Sequence, residues 1–221
     1  MGLAGGQRPH PRAVIFDLDR CLIDSRNAWR YCIEESIAAA TGRRLDAAAL
    51  VAEYHTRPWL DALSVLTGDR AEAHRCEELC ATMFERSAMK KLLVFEGIGM
   101  ALDALRGERM ELGAISRLPH ALAVKQVQST GLDRFVAVVA AGPWAPADQV
   151  GRCLAFLEAP AEACAVVSGE AIDLRAVAAL GLTAYLAAWA AGFDEETASA
   201  ISGPGALRAR LLADWAHRPD A

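Results

Sequence analysis

The first clear pattern along the chain is a continuous apolar run over residues 13–16, followed at once by the acids Asp17 and Asp19. A short run without polar interruption is typical of a strand buried on both faces of a sheet. Two carboxylates separated only by Leu18 repel each other unless a cation, a proton or hydrogen-bond donors stabilise them. We therefore expect a positive group close to the end of this strand.

From residue 98 onward, apolar strand patterns alternate with amphipathic helical patterns. Helices are predicted over 98–106, from 119, and over 147–157 and 174–180, and strands over 112–115, 135–140, 164–167 and 183–186. This alternation predicts parallel strands joined by right-handed helical crossovers, that is, a doubly wound parallel α/β sheet. A last amphipathic helix within 203–217 follows a Gly-Pro-Gly break, and we expect it to cover the sheet.

The segment between these strand patterns, residues 27–91, has helical periodicity and predicts about four helices. The first is expected to end at Gly42 and the last to begin at Asp69, an N-cap residue. A second helix is expected within 46–55, and a third with Pro58 in its first turn.

Composition excludes several classes of function. The chain has 221 residues, of which 53% are hydrophobic, so it can bury a full core. The net charge of -5, without a basic run, argues against nucleic acid and anionic membranes as partners. The N-terminal stretch is too polar for a secretory signal, and apolar runs are too short to span a bilayer, so we expect a cytoplasmic protein.

The six cysteines lack disulfide or zinc-ribbon spacing and are expected to be reduced and mostly buried. Cys76 and Cys80 lie four residues apart on a predicted helix and could share a metal. No second Cys or His pair accompanies them, so packing is the favoured interpretation.

Polar side chains follow several of the predicted strands. Asp17 and Asp19 follow the first strand, Ser116 follows the second, and the sequence SGEAID follows the strand over 164–167. Neighbouring strand tips lie about 4.8 Å apart, so these groups are expected around one small volume. Such a set suits Mg²⁺ together with a phosphate-like oxyanion, and an attacking carboxylate would form an aspartyl-phosphate.

The motifs resemble those of the haloacid dehalogenase (HAD) superfamily, in particular its phosphoglycolate-phosphatase and β-phosphoglucomutase-like branch. VIFDLDRCLIDS is similar to the first motif, FEGIGMALDAL followed by LGAIS to the second, and DLRAVAALGL to the helix after the fourth. The resemblance covers nearly the whole chain. It implies a core domain over 11–24 and 92–221 and an inserted helical cap domain over 25–91.

The resemblance also implies roles for individual residues. Asp17 would be the nucleophile and Asp19 the general acid and base, while Ser116 and Arg117 would bind the phosphoryl group. Mg²⁺ would be bound by a set of four residues, Asp17, Asp19, Asp173 and Glu170. Because dehalogenating members lack the second aspartate, Asp19 favours phosphoryl transfer over carbon–halogen cleavage.

Several positions depart from the family pattern. Ala145 stands where the third motif has lysine, and Gly169 where the fourth motif has its first aspartate, unless Glu170 substitutes for it. Arg20 and Cys21 replace the usual Gly-Thr of the first motif. Four basic residues could stand in for the lysine: Arg20, Arg117, Lys125 and Arg152. In the alternative interpretation, Arg20 points to solvent or to the cap, and Arg117 caps a strand end.

Two functions follow from these patterns. The first is a Mg²⁺-dependent phosphatase that acts on a small phosphorylated metabolite. The second is a catalytically degenerate member that binds a ligand or a protein partner without turnover, which the losses at Ala145 and Gly169 favour.

Overall fold

The computed structural model describes residues 10–48, 51, 59–169, 171–191 and 199–217. The chain divides into two compact units. One comprises the described residues up to Ile23 and those from Val94 onward, and the other is Asp24–Leu93.

The strands are short and mostly buried. They are β1 (Ala13–Asp17), β2 (Ile23–Asp24), β3 (Leu93–Val94), β4 (Glu111–Ser116), β5 (Val138–Ala141), β6 (Cys164–Ser168), β7 (Thr183–Ala187) and β8 (Ala200–Ile201). Six of them form a parallel sheet in the order β5-β4-β1-β6-β7-β8, and β2 pairs separately with β3.

The helices accompany this sheet or form the second unit. Those of the second unit are α1 (Arg26–Thr41), α2 (Trp59–Thr67) and α3 (Arg70–Arg86). Those of the sheet unit are α4 (Ile98–Gly107), α5 (His120–Ser129), α6 (Pro146–Leu157), α7 (Ala171–Ala178), α8 (Ala188–Ala191) and α9 (Leu207–Ala216). The predicted doubly wound parallel α/β fold is confirmed.

Strand β1 lies inside the sheet, between β4 and β6. Its residues Ala13 to Phe16 have no solvent exposure, which explains the uninterrupted apolar run. The chain leaves β1 toward β4 and β5 and returns on its other side at β6. This reversal of strand order is where open α/β sheets bind ligands, at the carboxyl ends of the strands.

Some element boundaries differ from the predictions. The strand expected over 135–140 begins at Val138, because the chain forms a 3₁₀ turn at Leu132–Arg134. Helix α7 begins at Ala171 rather than at 174, and α9 begins after a 3₁₀ turn at Pro204–Ala206. The edge strand β8 has two residues, too few for a recognisable pattern. Most of the helix expected within 46–55, and Pro58, lie outside the described residues.

The second unit is built from packed helices. Helix α1 ends at Gly42, which adopts φ 71°, and α3 begins after Asp69, whose carboxylate accepts hydrogen bonds from the backbone N–H of Ala71 and Glu72. Trp29 of α1 stacks on Phe84 of α3 with ring centroids 4.1 Å apart.

The cysteines are all buried thiols, as predicted. Cys76 lies with its Sγ 3.9 Å from the Ser36 carbonyl oxygen. Among the described residues, no group of three or more His, Cys, Asp or Glu side chains is placed to hold a metal ion. Within the same part of the chain, none of the helices has the length and apolar character needed to cross a membrane.

Phe84→Ala is expected to destabilise the helical unit by about 3–5 kcal/mol, because it leaves a cavity beside Trp29 and removes their stacking. Urea denaturation followed by circular dichroism measures the change. Phe156→Ala is the matched control, since that ring is 65% exposed. Its expected effect is within about 0.5 kcal/mol. Equal destabilisation by both substitutions would contradict the packing described for the pair.

Candidate active site at the tip of the central strand

The register of the sheet brings three strand ends together. Asp17 pairs with Ile115 of β4, and Phe16 pairs with Val167 of β6. The next residues of those neighbouring strands are Ser116 and Ser168, so a hydroxyl flanks the β1 tip on each side. The sequence-based prediction that strand ends place these polar groups around one volume therefore agrees with the observed register.

Asp17 is 6% exposed, and several groups contact its carboxylate. The backbone N–H of Asp19 donates to Oδ1 at 3.2 Å, and the Ser168 hydroxyl donates to Oδ2 at 3.1 Å. The Arg20 guanidinium lies with Nε 3.9 Å from Oδ2. The carboxylate is thus held in one orientation and paired with a positive charge.

Asp19 lies in a turn of π-helix, Leu18–Leu22, that follows β1. The Ser116 hydroxyl donates to its Oδ2 at 2.6 Å, while its Oδ1 is buried and makes no hydrogen bond with the described residues. Burial and, secondarily, the nearby Asp17 raise the pKa of Asp19 from 3.8 to about 6. Hydrogen bonding from Ser116 and the charge of Arg20 oppose this rise in pKa. Asp19 is therefore able to hold a proton near neutral pH.

Arg20 is buried, with 8% of its side chain exposed, so it does not point to solvent. Its carbonyl oxygen packs against Gly169. A Cβ at position 169 would collide with that oxygen and lie 3.2 Å from the Arg20 Cβ. The turn thus occupies the space that a side chain at position 169 would need.

The loop of the third motif has alanine, not a basic residue, at position 145. Ala145 is exposed and precedes α6, whose first residue is Pro146. The Gln149 side chain is buried, and its Nε2 donates to the carbonyls of Ser116, Gly142 and Trp144 at 2.9, 2.8 and 3.3 Å. A glutamine amide therefore ties this loop to the tip of β4.

Trp144 lies over this loop. Its ring packs on Gly142, where a Cβ would approach to 2.8 Å, and the Arg152 guanidinium lies 4.0 Å from the ring centroid. Of the other lysine substitutes considered, Arg117 and Lys125 are exposed. Arg20, the remaining candidate, has its guanidinium beside the Asp17 carboxylate.

The structure describes the remaining predicted site residues to different extents. Arg117 directly follows β4 and is exposed. Asp173 belongs to α7, but its side chain lies outside the described part of the structure, and Glu170 lies outside the described residues altogether. Their predicted metal-binding roles stay predictions.

Sequence reasoning missed three polar residues near the site: Ser168, Gln126 and Gln149. Gln126 has no exposure and lies near enough to Asp19 to lower its pKa slightly, without hydrogen-bond geometry. Its position three residues after the buried Ala123 places it on the apolar face of α5, a signal that could have been used. Ser168 occupies the last position of an otherwise apolar strand, which is also a detectable signal.

Mg²⁺ prefers near-octahedral oxygen coordination with one or two protein carboxylates and water. Here the Asp17 carboxylate is paired with a guanidinium, and position 169 has no room for an aspartate. Of the four predicted ligands, the structure describes the side chains of Asp17 and Asp19, and the Asp17 carboxylate already has the Arg20 guanidinium beside it.

Asp19→Asn is expected to stabilise the protein above pH 6 and to have much less effect below pH 4. The folded protein keeps a proton on Asp19 up to about pH 6, whereas the unfolded chain loses it near pH 4. Wild-type stability therefore falls as pH rises through this interval, by at most about 3 kcal/mol, and asparagine removes that loss. Urea denaturation of wild type and Asp19→Asn at pH 3.5–8 in chelating buffer measures the free energy of unfolding of each protein. A stability difference that does not vary with pH would contradict the raised pKa.

Gly169→Ala is expected to lower stability by about 1–3 kcal/mol, because the new methyl group displaces the Arg20 backbone. Gly151→Ala, in helix α6, is the matched control. A Cβ there meets nothing within 4 Å, and alanine favours the helix by about 1 kcal/mol. Thermal denaturation of the two variants should shift in opposite directions, and a neutral Gly169→Ala would contradict the tight packing.

The fold of this chain is shared with several proteins of solved structure. No curated protein matches the chain. Solved structures with a similar fold include a candidate phosphatase from Clostridium difficile, at 16% identity and TM-score 0.82, over 91% of this chain and 99% of that one. A candidate phosphoglycolate phosphatase from Lactobacillus plantarum has 17% identity and TM-score 0.73, over 92% and 99%. A candidate β-phosphoglucomutase from Thermotoga maritima has 16% identity and TM-score 0.72, over 91% and 99%.

Because these sequence identities are low, the structural similarity shows the fold alone. The family model for haloacid dehalogenase-like hydrolases matches residues 14–185, which include most of the central strand, its acidic turn, strands β4 to β6 and the first part of β7. On that match, together with the parallel sheet and the paired aspartates at its central tip, the chain belongs to the haloacid dehalogenase-like hydrolase family.

Proposed function

We propose that this protein is a phosphatase that hydrolyses a small phosphomonoester through an aspartyl-phosphate on Asp17. The observation that carries the proposal is the arrangement of the two aspartates. Asp17 is oriented by two hydrogen bonds at the tip of β1, and the buried Asp19 carboxyl beside it is held by the Ser116 hydroxyl.

In the first step, an Asp17 carboxylate oxygen attacks phosphorus, and the bond from phosphorus to the ester oxygen breaks. The leaving oxygen takes the proton from Asp19. In the second step, Asp19 accepts a proton from water as the water attacks the phosphoryl group, which releases phosphate and regenerates Asp17. Dividing hydrolysis into two displacements is the usual advantage of a nucleophilic side chain.

Support for the role of Asp19 comes from its surroundings. A carboxyl group that donates a proton near neutral pH needs a raised pKa, and burial beside Asp17 provides this for Asp19. The similar folds include candidate phosphatases, which agrees with the same substrate class. We assign no step to Mg²⁺, the cofactor that the resemblance implies. We further propose that the inserted unit, Asp24–Leu93, acts as the cap that the resemblance implies.

A second candidate function is binding without turnover. It is favoured by Ala145, which cannot provide the charge of the third-motif lysine, and by the Gly169 contact that leaves no room for an aspartate. A degenerate protein of this kind would bind a phosphorylated ligand or a protein partner.

Asp17→Asn is expected to abolish turnover of small phosphomonoesters, because an amide oxygen is a poor nucleophile. Asp133→Asn, at an exposed 3₁₀ turn, is the matched control and should retain wild-type activity. Release of inorganic phosphate is measured with and without MgCl₂. Equal rates in wild type and Asp17→Asn would favour the binding function.

The same assay separates the roles of the aspartates. In Asp19→Asn, turnover of an alkyl phosphate is expected to fall by about 10²–10⁴-fold. Turnover of p-nitrophenyl phosphate should fall much less in its first step, because p-nitrophenolate leaves without protonation. The first step is measured as the initial burst of p-nitrophenol release. If Asp19→Asn slows this burst as much as it slows turnover of the alkyl phosphate, proton donation by Asp19 is contradicted.

A further inference from the structure

Arg20 is the described basic residue most completely removed from solvent. It stands where the family's first motif has glycine, within the turn that carries Asp19. Among the described residues, it is the one lysine or arginine that is buried, and its guanidinium lies 3.9 Å from Asp17. Because a guanidinium does not lose its proton in proteins, this site contains a permanent positive charge.

The backbone of the turn is fixed on three sides. The N–H of Asp19 binds the Asp17 carboxylate, and the indole Nε1 of Trp189 donates to the Cys21 carbonyl at 3.0 Å. On the third side, the Arg20 carbonyl packs against Gly169. Since neighbouring residues on both sides of Arg20 are anchored, its backbone is fixed, and its side chain lies buried with the guanidinium beside Asp17.

We propose that the Arg20 guanidinium is the built-in cation of this site, so that a tetrahedral phosphoryl-type oxyanion binds beside Asp17 without a divalent metal. This inference rests on the proposed function, from which it takes the class of ligand, but it concerns binding of that ligand and not its turnover. Arg20 then performs the charge neutralisation that the resemblance assigns to Mg²⁺ and to the third-motif lysine.

Charge and chemistry both favour this assignment. A divalent cation placed on Asp17 would lie close to the guanidinium and be repelled by it, in surroundings that screen charge poorly. The planar donor fork of arginine matches phosphate oxygens well. The guanidinium lies beside Asp17 and also acts electrostatically on Asp19, so it places a positive charge next to both carboxylates.

The other basic candidates do not fill this place. Arg152 stacks on the Trp144 ring, and Arg117 and Lys125 are exposed. Position 169, where the family pattern has a carboxylate, is closed by the Arg20 backbone itself. The residues at positions 20 and 169 are therefore in direct contact in this structure.

The test is binding of inorganic phosphate, measured by isothermal titration calorimetry, once with EDTA and once with excess MgCl₂. The wild-type dissociation constant is expected to agree within about twofold between the two conditions. Arg20→Gln should weaken binding at least about tenfold, because it removes a charge-assisted contact. Arg175→Gln, an exposed arginine on α7, is the matched control and should bind as wild type.

Arg20→Lys keeps the charge and should retain most of the binding in EDTA, which provides a second variant if Arg20→Gln does not fold. Phosphate binding that requires Mg²⁺ would overturn the inference and leave the phosphatase proposal standing. Wild-type binding by a folded Arg20→Gln would overturn it as well. Absence of phosphate binding under both conditions would also refute it, while phosphate release from phosphomonoesters decides the proposed function separately.

Discussion

Asp17 and Asp19 are separated by one residue at the end of a central strand whose residues Ala13 to Phe16 have no solvent exposure. Asp17 itself is 6% exposed, so water screens the repulsion between the two carboxylates poorly. Neighbouring protein groups provide the stabilisation of the two carboxylates that water would otherwise provide. The hydroxyls of Ser168 and Ser116 each donate to one aspartate, and Arg20 adds a full positive charge. Removing one partner of a buried ion pair usually costs about 3–5 kcal/mol, so this compensation is as much a requirement of folding as of chemistry.

The acidic turn and the strand end of β6 are in close contact. With arginine at position 20, the turn lies against Gly169, and glycine is the residue that tolerates this approach. Relative to the family pattern, the site loses the lysine charge at Ala145 and a carboxylate at Gly169, and it gains a guanidinium at Arg20. Positive charge has thus moved from the loop before α6 into the turn after β1.

The loop before α6 shows that geometry and charge can be separated. The Gln149 amide donates to two carbonyls of this loop and to the Ser116 carbonyl of β4, and the Trp144 ring packs on Gly142. The loop therefore stays ordered without the lysine. A fold shared with proteins of 16–17% identity is consistent with this, because the parallel sheet depends on buried apolar strands rather than on the charged residues at their tips.

The sequence by itself determined the alternation of strands and helices, the parallel sheet and the place of the aspartates at a strand end, because continuous apolar runs and helical periodicity are local signals. It also identified the family from its first motif. Only the tertiary structure decided that Arg20 turns inward onto Asp17, that its backbone closes position 169, and that Gln149 anchors the loop at Ala145. The contacts of Arg20 with Gly169 and of Gln149 with Ser116 join residues far apart in the sequence. No local pattern records that the Arg20 side chain turns toward Asp17 rather than to solvent.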